Sequence, residues 1–402
     1  MPDAMPRTAA PHLRALTGLR FVAATQVVLY HVYAPGAGRA PQWVRALAGS
    51  GYVGVGLFFV LSGFVLAYNY LGPVEEGRVT RREFWTARLA RVYPVYLLGL
   101  VAGMPVFARW MLHVNPLPAA LGWIAGVTGA SLALVQGWAP QTACALNCPG
   151  WSLSAEAFFY LCFPFLVAPV LRLSARQALA AAAVLWLVAL AFPAAYLALR
   201  PDGLGALTTA SHGVWLMALK FNPLARLPEF AIGVLAGRLF LDGALPRLRG
   251  AWMEGAAMAA IVAVLLASPA LPYPLVHNGL LAPLFATLVL LLARGEGVVS
   301  KLLSGRWMEM LGGASYALYI LHLPLNDWTG RAMDALDLDV TSPAGYALVF
   351  LAGATLVSIA VFRWVEEPAR RALRRRLSAP RPARVEAPAP AFGGGALAEA
   401  GD

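Results

Sequence analysis

Apolar residues run along this chain in blocks of about 17–22, separated by shorter stretches rich in arginine, glycine and proline. Blocks of that length suit helices that cross a bilayer. Ten windows fit: 14–34, 51–71, 90–108, 153–171, 177–198, 214–240, 251–269, 277–293, 308–328 and 344–364. An eleventh, near 118–136, is weaker, because Gly122, Gly126, Gly129, Thr128 and Ser131 interrupt it. The expected fold is therefore all-α, a polytopic membrane bundle of about ten transmembrane helices.

Charge orients the bundle. Arg7 and Arg14 flank the first block and place the N-terminus in the cytoplasm. Arg78, Arg81, Arg82, Arg88 and Arg91 follow the second block, and Arg172 and Arg176 lie between the fourth and fifth. Both groups belong inside, so the connection 109–152 must leave and return on the outer side. The window 118–136 is then a re-entrant or interfacial segment. Arg238, Arg247 and Arg249, then Arg294, Lys301 and Arg306, then Arg370, Arg371 and Arg374 to Arg376 also fall inside. The bundle is expected in a bacterial cytoplasmic (inner) membrane, with both termini cytoplasmic. Arg39, Arg45 and Arg109 fall outside, so the bias is strong without being absolute. Residues 1–12 and the Pro-, Ala- and Gly-rich tail 378–402 read as disordered, leaving 13–377 as the membrane domain. No signal-peptide cleavage pattern precedes the first block, and no fixed-period repeat is visible.

Composition agrees. The 402 residues are 59% hydrophobic and 13% charged, against about 45–50% and about 25% in soluble domains. That excludes disordered, collagen-like and disulfide-scaffold classes and leaves too little polar surface for a soluble enzyme. The net charge of +11 raises nucleic acid as a partner, but the cations sit between apolar blocks, where topology demands them. Cys144 and Cys148 share the outer connection, where an oxidising exterior permits a disulfide although a five-residue ring is tight. There is no Cys/His metal pattern.

Ionisable groups inside apolar blocks are costly and usually functional. Arg20 and His31 are eleven residues apart, about 20° beyond three full turns, so they share a face about 16 Å apart along the axis. Arg88 and Arg91, at i and i+3, form a fork suited to a phosphorylated ligand, or serve topology alone. Glu156, in PGWSLSAE, either caps its helix or pairs with His31, whose depth it shares. Ser315, Tyr319 and His322 make a stripe beside Tyr316, readable as packing glue or as a site. Ser62 in GVGLFFVLSGF allows close helix packing, and would need a neighbouring base to act as nucleophile. Arg226 and Glu229 read best as a structural ion pair.

The order of these stretches resembles the membrane-bound acyltransferase family 3, the O-acetylases of O-antigen, peptidoglycan, Nod factors and macrolides. The matching segments are LRALTGLRFVAATQVVLYH (13–31), GVGLFFVLSGF (54–64), FWTARLARVYP (84–94), WSLSAEAFFYLCFP (151–164), RLPEFAIGVLAG (226–237), SYALYILHLPL (315–325) and EEP (366–368). Position 157 departs from the family's pattern: Ala157 stands where a second carboxylate is common. The resemblance implies transfer of an acyl group, acetyl by default, from acyl-CoA to a hydroxyl of a carbohydrate or a macrolide-like molecule. It implies His31 as general base with Arg20 and Glu156 in the catalytic group, and no metal. Arg88, Arg91 and Ser62 would bind acyl-CoA, and Arg20, Tyr316 or Tyr319 would stabilise the oxyanion. Glu156 or His322 would orient His31 or the acceptor. The alternative is a proton-coupled secondary transporter of a sugar-like or acylated solute, for which paired inverted halves with broken helices would speak.

Overall fold

The computed structural model describes residues 13–245, 250–339 and 342–377. The ends predicted to be disordered, 1–12 and 378–402, and Arg7, Arg247 and Arg249 lie outside the described residues. Those residues form helices and loops, with no β-strand among them.

In chain order the helices are α1 (Arg14–Val32), α2 (Gln42–Gly49), α3 (Gly54–Glu75), α4 (Arg81–Val114), α5 (Leu117–Leu132) and α6 (Trp151–Arg172). Then come α7 (Ala175–Leu199), α8 (Val214–Phe221), α9 (Pro223–Leu241), α10 (Ala251–Ala267), α11 (Tyr273–His277) and α12 (Ala282–Arg294). The chain continues with α13 (Val298–Leu303), α14 (Arg306–Ala335) and α15 (Pro343–Val361). A π-helical turn at Phe362–Glu366 leads into α16 (Glu367–Leu377). Eight segments are long and apolar enough to cross a membrane. The other two of the ten expected spans, α9 and α14, have 19 and 30 residues and carry charges, Arg226, Glu229 and Arg238 on α9. The chain is an all-α polytopic membrane protein.

Local chemistry sets the boundaries. Thr80 accepts from the Glu83 amide while the Glu83 carboxylate accepts from the Thr80 amide, a capping box that starts α4. With 34 residues α4 is about 51 Å long, well beyond the ~30 Å apolar core, so part of the helix extends past it. At 16 residues α5 reaches only about 24 Å. Its last carbonyls, of Ser131 and Leu132, accept from the hydroxyls of Tyr96 and Tyr93 midway along α4. The chain thus turns back part of the way, as the weak window suggests. Cys144 and Cys148, in the loop that follows, are joined as a disulfide.

Two expected spans are broken. The window 214–240 is two helices, because Asn222 precedes Pro223, and a residue before proline avoids the α region. The Asn222 side chain accepts from the Leu224 amide and caps α9. The window 277–293 begins on the last residue of α11, and Gly279 at φ +78° separates that short helix from α12, which fills the rest of the window. The two breaks are linked by the buried Arg226–Glu229 pair, 2.9 Å apart. Arg226 donates at 2.6 Å to the His277 carbonyl and to Asn278 Oδ1, while Glu229 accepts from the Gly279 amide at 3.1 Å. Non-helical backbone at membrane depth survives only where protein satisfies it, and this ion pair does so.

Small residues bring the central helices together. A Cβ on Gly63 would lie 2.1 Å from the Phe230 carbonyl, and one on Gly233 would lie 2.0 Å from that of Val60. Gly237 follows four residues on, against Ala67, so α3 and α9 meet backbone to backbone in parallel. The contact of α1 with α14 is similar, with Gly312 against Thr17 at one level and His322 against His31 further along.

Candidate active site

Five helices, α1, α3, α4, α6 and α14, line a cavity of about 100 Å³. It gathers Arg20 from α1, Ser62 from α3, Arg88 and Arg91 from α4, Glu156 from α6, and Tyr316 and Tyr319 from α14. Phe58, Phe59 and Leu66 supply an apolar wall. Arg88 donates to the Tyr70 hydroxyl at 2.8 Å and lies 5.0 Å from that ring's centroid, which fixes one edge of the guanidinium. Its Nε–H has no acceptor among the described residues. Glu156 Oε1 accepts from Ser62 Oγ at 3.0 Å and from the Tyr160 hydroxyl. Ser62 thus gives its proton to a carboxylate that itself borders the cavity.

Glu366, in the π-helical turn, is buried and interacts electrostatically with Arg91 and Arg20. Among the lining residues three guanidiniums thus face one carboxylate, Glu156, with Glu366 close to two of those guanidiniums but outside the lining. The excess of positive charge favours an anionic guest.

His31 is not in this cavity. It borders a second chamber of about 180 Å³, which has Val55 and Tyr319 in common with the first. Arg20 and His31, expected on one face of α1, therefore border different chambers. Arg20, Arg88 and Arg91 lie on one side of a partition and His31 on the other. Tyr319 is buried and held, its hydroxyl donating to Ser152 Oγ at 2.9 Å and lying 3.2 Å from the Pro149 carbonyl. Phe58 packs edge-on against its ring, with centroids 5.6 Å apart.

His31 has a defined partner. His322 is fully buried, and its Nδ1 lies 2.7 Å from the Tyr319 carbonyl. A carbonyl only accepts, so that nitrogen carries the proton and His322 Nε2 is left as an acceptor. It lies 3.2 Å from His31 Nδ1, which is also 2.9 Å from the Val27 carbonyl. Both partners accept, so the His31 proton is on Nδ1. Its Nε2 keeps a lone pair, the arrangement a general base needs. The sequence offers Glu156 or His322 as the group that orients His31. Geometry brings His322 to it, whereas Glu156 pairs with Ser62 and Tyr160.

Of the oxyanion candidates, Tyr316 donates to the Val92 carbonyl at 2.7 Å, so its proton is engaged on the protein. Tyr319 borders both chambers. Glu366 does not line the cavity, but its interaction with Arg91 and Arg20 is a role that sequence did not give it, although the EEP segment holding it was visible. Lys220 lines the second chamber, and no motif marks it. No three His, Cys, Asp or Glu residues cluster as a metal would require among the described residues.

Residues 13–363 match the model of a family described as an acyltransferase domain. The acyltransferase MdmB of Streptomyces mycarofaciens is 31% identical over 94% of this chain and 97% of its own length. The exopolysaccharide production protein ExoZ of Rhizobium meliloti is 28% identical over 82% of this chain and 93% of its own length. The peptidoglycan O-acetyltransferase OatA of Listeria monocytogenes is 25% identical over 91% of this chain, which spans 57% of that protein. No solved structure matches.

Proposed function

The chain belongs to this acyltransferase family, and we propose that it is an acyl-CoA-dependent O-acyltransferase of the inner membrane, with both termini cytoplasmic. The acyl group is acetyl, and the acceptor is a hydroxyl of a cell-envelope carbohydrate or of a secreted macrolide-like molecule. The observation that carries this reading is the pair of chambers meeting at Tyr319, with guanidiniums on one side and the oriented His31–His322 pair on the other.

In this reading Arg88 and Arg91 bind the CoA phosphates at the cytoplasmic mouth, where charge-assisted hydrogen bonds are strong. Arg20 lies along the route of the pantetheine arm, which carries the thioester past Tyr319. His31 Nε2 takes the proton of the acceptor hydroxyl as its oxygen attacks the thioester carbonyl. Negative charge moves to the carbonyl oxygen, and Tyr319 turns its hydroxyl from Ser152 to meet it. Collapse of the tetrahedral intermediate breaks the C–S bond. The leaving CoA thiolate then takes the proton from His31. Ser62 is not acylated, and Glu156 holds it and Tyr160 in place beside the arm.

The test is purified chain in nanodiscs with radiolabelled acetyl-CoA and a panel of hydroxyl acceptors. His31→Ala should lose about 10²–10⁴-fold in transfer, the usual share of general-base catalysis, and keep the wild-type gel-filtration profile. Full activity in that variant would sink the mechanism.

A further inference from the structure

Lys220 and Lys301 are the only lysines in this chain, and Lys220 is 7% exposed. It lies at the C-terminal end of α8 and borders the second chamber. Its ammonium sits 5.2 Å from the Phe221 ring centroid and 5.5 Å from that of Tyr273. No carboxylate pairs with it among the described residues. A buried cation without a counter-ion is costly, and cation–π contacts offset only part of that cost.

The neighbouring buried cation shows what a structural solution looks like here. Arg226 has Glu229 at 2.9 Å and two further acceptors. The fold thus gives Arg226 a carboxylate and gives Lys220 none. The other ionisable groups around the chamber are histidines and tyrosines: His31, His212, His277, Tyr30, Tyr52, Tyr273 and Tyr319. No Asp or Glu lines it. Glu156 borders the other cavity, and Glu229 is engaged by Arg226 and the Gly279 amide. The chamber is therefore a cationic, hydroxyl-rich and aromatic concavity that contains the proposed general base.

We propose that this chamber binds acceptors that carry an anionic oxygen group, a carboxylate or a phosphate, near the reacting hydroxyl, and that Lys220 is its counter-ion. This deepens the acyl-transfer reading and rests on it for the word acceptor. Lys220 and His31 line one concavity, so an anion held at the ammonium restricts which hydroxyl meets His31 Nε2. Trp151, Phe221 and Tyr273 offer faces for a sugar ring, and Tyr30, Tyr52 and Thr209 offer hydroxyls to its polar rim. Lys220 is a binding residue in this scheme and takes no part in bond making.

The experiment is equilibrium binding by calorimetry on the full chain in nanodiscs, without acyl donor. The probes are methyl β-glucoside, methyl β-glucuronide and methyl β-glucoside 6-phosphate. At least one anionic glycoside should bind ten times or more tighter than the neutral one, and which of them does so separates carboxylate from phosphate. Lys220→Met should erase the difference and Lys220→Arg should retain it. Equal affinities, no binding by any of the three, or a preference that survives Lys220→Met would overturn the proposal. If Lys220→Met does not fold, the wild-type comparison decides by itself. Acyl transfer is not read in this assay. A chain that prefers the anionic probes but never transfers acetyl refutes the enzymatic reading, and one that transfers acetyl without the preference refutes only this one.

Discussion

His322 illustrates how a packing residue acquires a chemical duty. Its proton on Nδ1 is fixed by the Tyr319 carbonyl, and that choice leaves Nε2 to hold His31. Removing it frees the His31 ring to rotate and to change tautomer. His322→Ala should lower kcat by about 10–100-fold, the rate equivalent of one lost buried hydrogen bond at 1–3 kcal/mol, with KM for acyl-CoA unchanged. His322→Asn, whose amide oxygen can accept from His31, should recover part of that loss, whereas a purely structural role predicts no such rescue. The arginines behave in the opposite way. Arg91→Gln should raise KM for acyl-CoA about 10-fold or more and leave kcat within a factor of a few, because a charge-assisted phosphate contact of about 1.5–3 kcal/mol serves binding uniformly. The candidates themselves are legible in sequence, since placing Arg20, His31 and Glu156 in apolar blocks demands a reason. The pairing of His31 with His322, 291 residues away, is not, because depth along a helix does not say which helices touch. The same gap let Arg20 and His31 read as one line, although Tyr319 and Val55 fall between their chambers.

Among helices, α3 and α9 approach backbone to backbone through Gly63, Gly233 and Gly237. Gly233→Leu should force the pair apart and abolish a monodisperse gel-filtration peak. Gly255→Leu, on α10 with open space at its Cβ, should leave the peak unchanged. The loop before α8 makes a different prediction. Asp202 accepts from the Trp215 and Leu216 amides and from the Tyr196 hydroxyl. Partial burial alone would raise its pKa, but these donors, with the Val214 amide, outweigh that and hold it below the ordinary carboxylate value. A depressed folded-state pKa stabilises above the unfolded value, and the effect is lost as pH falls through the folded one. Protection of the Trp215 and Leu216 amides from hydrogen exchange should therefore hold at neutral pH and fall only in strong acid, below the usual Asp range. Asp202→Ala should lose it at every pH. The helix boundaries show where hydropathy stops being informative. Asn222–Pro223 announces its break in two letters, yet an averaging window passes over it. The break at Gly279 carries a local mark in Asn278–Gly279, but the contacts that satisfy it come from Arg226 and Glu229 on another helix.

For the molecule as a whole, an apolar count identifies a membrane bundle, and the order of seven motifs identifies its family. Neither reveals that the interior is two rooms, because a cavity belongs to several helices at once and has no signature in any of them. The partition between those rooms is no thicker than the side chains of Tyr319 and Val55, with Phe58 against the ring. In the proposed mechanism donor and acceptor enter from opposite faces, and the residues between the two chambers are all that keeps that route from being a pore. Tyr319 is then also electrical insulation, and its short polar tether to Ser152 keeps the ring across the gap. Vesicles carrying Tyr319→Ala should dissipate an imposed pH gradient faster than wild-type vesicles, as read by an entrapped pH-sensitive dye. A cell expressing that variant would lose proton-motive force through the enzyme whether or not it had anything to acylate.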